Sequence, residues 1–258
     1  MPEQSHWFVS YTLPEGQRFS SFGTAHFIYM AIGAIALVAL ALLARKLERP
    51  RAGRVIKAGS IVLIVLYVFR AYMYYRYYPG FSFLDILPLH LCILSVIILP
   101  VAVYTENAFL GNVSYAVLMP GALFAILTPE TVLGYFHAFG WMPLIFYVWH
   151  FLVAAIPLML VSSGKLIPDI RKYPPIILSL SGYALIIYCF NKQLNTNFMF
   201  LNKPAKGTII WLFGEWLGNP GYIILLALLA FFLIFLMFVP WWLRGRIRNS
   251  DKAGNKLK

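Results

Sequence analysis

The sequence predicts an all-α fold, a polytopic membrane helical bundle of about seven transmembrane helices with its N-terminus outside and its C-terminus in the cytoplasm. Three observations carry this reading. Of 258 residues, 61% are hydrophobic and only 12% charged, whereas a soluble domain carries about 25% charged residues. The apolar residues fall in long runs separated by short polar breaks. Lys and Arg concentrate in alternate breaks. Seven spans of about 20 residues use more than half the chain, so a single membrane domain over 24–243 is expected. It lies between an extracytoplasmic segment 1–23 and a basic cytoplasmic tail 244–258.

The predicted spans are 24–43, 55–74, 84–104, 108–127, 142–161, 174–190 and 220–243. The first 23 residues lack the basic n-region and small-residue cleavage site of a signal peptide, so the first run reads as a retained span. Pro88 and Pro143 sit near the starts of the third and fifth spans, where proline is tolerated. The fourth span is the weakest: with Gly111, Asn112, Pro120 and Gly121 inside and Thr128-Pro129 at its end, it reads as a candidate broken or partly re-entrant segment. Tyr72, Tyr74, Tyr75, Tyr77 and Tyr78 crowd one end of the second span, and Trp241 with Trp242 marks the end of the seventh. Both are interfacial belts.

Orientation follows from the basic residues. Arg45, Lys46, Arg49, Arg51, Arg54 and Lys57 precede or open the second span. Lys165, Arg171 and Lys172 lie between the fifth and sixth, and six more basic residues fill the tail. These fifteen share one side of a seven-span chain. The other side has Arg18, Arg76, Lys192, Lys203 and Lys206. The richer side is cytoplasmic by the positive-inside rule, and it is a natural partner for anionic lipid. The net charge of +12 therefore belongs to topology and not to nucleic acid binding. Cys92 and Cys189, both in apolar segments, give no disulfide framework.

Ionisable residues inside spans are costly and mark a functional interior. Arg70 lies near the outer end of the second span, His90 and Cys92 two turns into the third, and His150 two turns into the fifth. At about 1.5 Å per residue, Cys92 and His150 both lie ~12 Å below the outer surface. His90 and Cys92 would point about 200° apart on one helix, so a base for Cys92 must come from another. His150 is the histidine at matching depth. Asp85, seven residues before Cys92, would share its helical face. His26 opens the first span, and His6 and His137 are extracytoplasmic. No CxxC or HExxH spacing points to a metal, and no cofactor is implied. On the residues alone, Cys92 reads first as an inert small hydrophobe, while His150 reads equally as an interhelical hydrogen bond and Arg70 as a snorkelling cation.

Three stretches add a resemblance. Leu87-Pro88-Leu89-His90-Leu91-Cys92, then Gly121 through Thr128-Pro129 with Trp149-His150, and Asn195-Thr196-Asn197-Phe198-Met199-Phe200-Leu201 occur in that order. Together they resemble the YwaF-like bacterial membrane proteins, which are related to eukaryotic transmembrane protein 164. The resemblance covers most of the chain. It implies a membrane acyltransferase acting on phospholipid or lysophospholipid, with the cysteine nucleophile falling on Cys92 and the histidine on His150. It is also similar to intramembrane hydrolases of fatty-acid esters. On that basis Arg70, His90 and Asn197 are candidate substrate-binding residues. A small-solute or ion transporter, or a non-catalytic lipid-binding protein, remains open as the alternative. The sequence does not give the oligomeric state.

Overall fold

The computed structural model describes residues 15–77, 80–134, 136–206 and 208–254. Most of the predicted segment 1–23, with His6, lies outside the described residues, as do Tyr78 and the tail positions Lys256 and Lys258. The helices are α1 Thr24–Lys46, α2 Arg49–Tyr77, α3 Leu91–Thr105, α4 Ala108–Val113, α5 Met119–Leu127, α6 Trp141–Ser162, α7 Tyr173–Leu194 and α8 Ile209–Gly254. A π-helical turn, Ser114–Leu118, joins α4 to α5. Among the described residues, six helical stretches are long and apolar enough to cross a membrane: α1, α2, 108–127, α6, 170–194 and 210–246. The seventh apolar helix, α3, is shorter. The chain is a multi-pass integral membrane protein.

The third predicted span needs correction. Residues 84–90 are not part of its helix: Phe83–Ile86 forms a 3-10 turn and α3 starts only at Leu91. Ser82 and Asp85 close a capping box around that turn, and Pro88 biases Leu87 to its extended conformation (φ −64°, ψ 135°). Cys92 is therefore the second residue of α3, not two turns inside it. Asp85 belongs to the preceding turn and shares no helical face with Cys92.

The fourth span is one helical stretch, irregular rather than interrupted, and long and apolar enough to cross a membrane. It runs from 108 to 127, and the π turn lies just ahead of Pro120, whose missing N–H breaks the regular ladder. Every residue of that turn is buried, so the protein and not lipid surrounds the irregular backbone. The seventh span is longer than predicted. A helical segment from Ile209 precedes a break at Gly218, whose φ of 61° suits glycine.

The core sits around α6, which packs against α1, α2 and α5. Its buried face includes Tyr147, Trp149, His150, Val153, Ala154 and Ile156. By contrast α1, α7 and α8 leave most of their apolar surface open, with Ile35, Leu178, Ile186 and Phe232 exposed. Such faces fit hydrocarbon, where apolar exposure costs nothing. One close approach fixes α1 on α6. A Cβ on Gly33 would lie 1.9 Å from Phe151 Cε2, so the ring fills the space that glycine leaves. At the end of the bundle carrying the α3–α4 and α6–α7 connections, Lys165 Nζ meets Glu106 Oε1 at 3.1 Å. That hydrogen bond holds the Glu106 carboxyl below the usual carboxylate range.

Replacing Gly33 with leucine should push Phe151 off α1 and cost about 1–3 kcal/mol. A lower thermal midpoint in detergent, with α-helical circular dichroism retained below it, is the expected result. An unchanged midpoint would mean that α1 is not seated on this contact.

Candidate active site

The site is built on the non-helical approach to α3. Its backbone carbonyls point away from any helical ladder, and side chains from three helices take them up. Tyr67 Oη donates to Ile86 O at 2.7 Å and Tyr183 Oη to Leu89 O at 2.9 Å. Arg70 Nη2 reaches Asp85 O at 3.5 Å. Trp149 Nε1 donates to Cys92 O at 3.1 Å, and Ser95 Oγ donates to the same oxygen. Thus α2, α6 and α7 all grip one segment, and the Trp149 bond brings α6 to the first turn of α3.

His150 follows Trp149 and is 5% exposed. Its Nδ1 lies 2.7 Å from Phe146 O, an oxygen that can only accept, so Nδ1 carries the proton and donates. The neutral ring then presents a lone pair at Nε2, and that buried atom has no hydrogen-bond partner. A buried acceptor left open is unusual in a settled core. Arg70 shows the same feature. Its Nη1 is buried without a partner, and the guanidinium lies 4.5 Å over the Tyr74 ring. Of the five predicted site residues, His90 and Cys92 stand at the start of α3, Arg70 reaches the approach at Asp85 O, and His150 is the residue after the Trp149 that bonds Cys92 O. Cys92 and His150 are not hydrogen-bonded to each other.

His26 is different. Its Nδ1 accepts from Phe22 N–H at 2.8 Å, just ahead of α1, and its Nε2 donates to Ile126 O at 3.0 Å, joining α1 to α5, so both nitrogens are spent. It is a structural histidine. Among the described residues, no three His, Cys, Asp or Glu side chains converge as metal ligands.

Asn197 is not brought to the gathered residues through its side chain. Oδ1 accepts from Asn202 N–H and Lys203 N–H, both at 3.0 Å, and Nδ2 donates to Lys203 O. It orders its own loop. Asn191 anchors that loop from α7: it is 0% exposed, Nδ2 donates to Phe198 O, and Oδ1 accepts from Phe198 N–H and Thr196 Oγ1, each at 2.8 Å. Held this way, Met199 and Phe200 both adopt φ of 57°, a conformation costing roughly 1–2 kcal/mol per residue with a Cβ. The result is that Met199 N–H donates to His90 Nδ1 at 3.3 Å, and the imidazole packs beside Phe198 and Phe200. Sequence reading missed Asn191, Trp149, Tyr67 and Tyr183 as builders of the site. An Asn at the end of an apolar span was the one available signal, since it is costly in lipid unless paired.

The model of the TMEM164 family matches residues 21–238, a stretch that includes every helix from α1 to most of α8 and all of these side chains. The chain belongs to the TMEM164 family. The resemblance to transmembrane protein 164 is thereby borne out, and the cell membrane is the natural location of such a multi-pass protein. Neither the curated proteins nor the solved structures compared with the chain gave a match.

Asn191→Ala should strand the Phe198 amide and carbonyl and release the strained turn. About 2–3 kcal/mol of stability would be lost, read as a lower thermal midpoint in detergent. Retention of the wild-type midpoint would show that the turn is held by packing alone.

Proposed function

We propose that this TMEM164-family protein is an integral membrane lipid-modifying enzyme that transfers or hydrolyses the acyl ester of a phospholipid or lysophospholipid through Cys92 and His150. The observation that carries the reading is the open Nε2 of His150. It is a buried acceptor with its tautomer already set by Phe146, on the residue after the Trp149 that holds the Cys92 carbonyl. A thiol beside a neutral imidazole whose second nitrogen is anchored is the minimal nucleophile–base–orienter set. The start of α3 adds a favourable dipole for a thiolate at its second residue.

The reaction follows from these roles. As substrate draws the two side chains together, His150 Nε2 takes the proton from Cys92 Sγ, and the thiolate attacks the ester carbonyl carbon. The tetrahedral intermediate collapses by breaking the carbon–alkoxide bond. The departing alkoxide takes the proton back from Nε2–H and leaves as lysolipid, while the acyl group stays on sulfur as a thioester. An acceptor hydroxyl or water, deprotonated by the same Nε2, then attacks the thioester and returns the thiol. Arg70, with an uncommitted Nη1, suits the phosphate of the headgroup. Anionic lipid at the opposite, basic end is the second expected partner.

The test is direct. Purified protein is incubated with acyl-labelled phosphatidylcholine and assayed for a hydroxylamine-sensitive adduct. Wild type should be labelled, Cys92→Ser should give no hydroxylamine-sensitive adduct, and His150→Ala should be slowed about 100-fold or more. Absence of adduct on wild type, or equal adduct on Cys92→Ser, would sink the covalent reading. Solute uptake into liposomes that survives Cys92→Ser would replace it with transport.

A further inference from the structure

The first amides of a helix have no carbonyl partner within it, and an N-cap side chain ordinarily takes one or two of them. His90 occupies the cap of α3 with the expected extended backbone (φ −70°, ψ 140°), yet its side chain makes no cap bond. Its acceptor, Nδ1, is engaged by Met199 N–H from the strained 198–200 turn. The Ile93 and Leu94 amides both return to the His90 carbonyl, at 2.9 and 2.8 Å. That leaves the Leu91 and Cys92 amides outside the helical ladder. Independently, His150, a residue 5% exposed, has an unpartnered Nε2, and the neighbouring Trp149 is bonded to this helix start at Cys92 O. Two helix-start amides outside the ladder, the Cys92 N–H lying against its own sulfur, and a buried base on the helix bonded to that start together suit a developing oxyanion.

We infer that the Leu91 and Cys92 amides form the oxyanion hole for the tetrahedral intermediate, and that the Met199–His90 hydrogen bond keeps it open by holding the cap residue's acceptor away. This rests on the acyl-ester reading of the site. As the thiolate adds, the carbonyl π pair moves onto oxygen and is met by two N–H donors. On collapse the pair returns to re-form the carbonyl, and the alkoxide leaves with the proton held on His150. His90 is then a positioning residue: it acts by not capping.

The prediction runs against ordinary stability logic. Serine is a good N-cap, too short to reach Met199, so His90→Ser should fold its hydroxyl onto the first-turn amides, whereas His90→Ala loses the Met199 bond without capping. With acyl-labelled phosphatidylcholine vesicles, His90→Ala should form the Cys92 adduct a few-fold more slowly than wild type. His90→Ser should fall about 100-fold below His90→Ala, although its thermal midpoint equals or exceeds that of His90→Ala. Alkylation of Cys92 by a small haloacetamide should agree within about two-fold between the two variants, since the hole binds the intermediate and not the thiol. Adduct formation by His90→Ser as fast as by His90→Ala would overturn the inference while leaving the Cys92 chemistry intact. So would a parallel fall in alkylation. Failure of wild type itself to form a Cys92-dependent adduct would take down the acyl-ester reading and this inference with it.

Discussion

A backbone that leaves its helix at membrane depth must find hydrogen-bond partners from the protein, because hydrocarbon offers none. The approach to α3 is where this chain meets that constraint. Between Ser82 and His90 it runs as a capped 3-10 turn and an extended stretch, and the exposed carbonyls are claimed by Tyr67, Arg70 and Tyr183. Trp149 then fastens α6 to the helix start. Helices that could otherwise pack in several registers are drawn to one segment. The convergence of Arg70, His90, Cys92 and His150 is a consequence of that clamp.

The clamp also explains why the polar atoms left over are informative. Donors and acceptors that serve the fold are paired, as in Asn191, Asn197 and His26. Among the buried atoms left open are Arg70 Nη1 and His150 Nε2, beside Tyr147 Oη and Asn202 Oδ1 elsewhere in the fold. His26, His90 and His150 differ in what each nitrogen does, not in residue type. His26 uses both nitrogens, one on Phe22 just ahead of its helix and one on α5. His150 donates from Nδ1 and keeps Nε2 open. His90 accepts at Nδ1, so its neutral ring carries the proton on Nε2.

Hydropathy made the helical spans legible, since long apolar runs admit few other structures, whereas the matching depths expected for Cys92 and His150 rested on a helix start that lies elsewhere. What could not be read was the start of α3. Residues 84–90 are apolar enough to continue a span, and only Pro88 and the Ser82–Asp85 box hint that the helix waits until Leu91. The supporting donors were hidden for a related reason. Tyr67, Tyr183 and Trp149 are ordinary aromatic positions within apolar runs until the chain brings a carbonyl to each. Asn197 misled in the opposite direction, because a conspicuous polar side chain proved to be occupied by its own loop.

The late start of α3 also alters the depth argument. Fifteen helical residues span about 22 Å, against a hydrocarbon core of about 30 Å. The shortfall of roughly 8 Å is taken up by the non-helical approach. Cys92, in the first turn, is thus shallower in its helix than an unbroken span would place it. On the acyl-ester reading, shortening the helix solves two problems at once. It places the thiol in the first turn of α3, and it leaves the Leu91 and Cys92 amides outside the helical ladder. A longer, better-capped α3 would make a more regular membrane protein with its thiol deeper in the helix and no donors beside it.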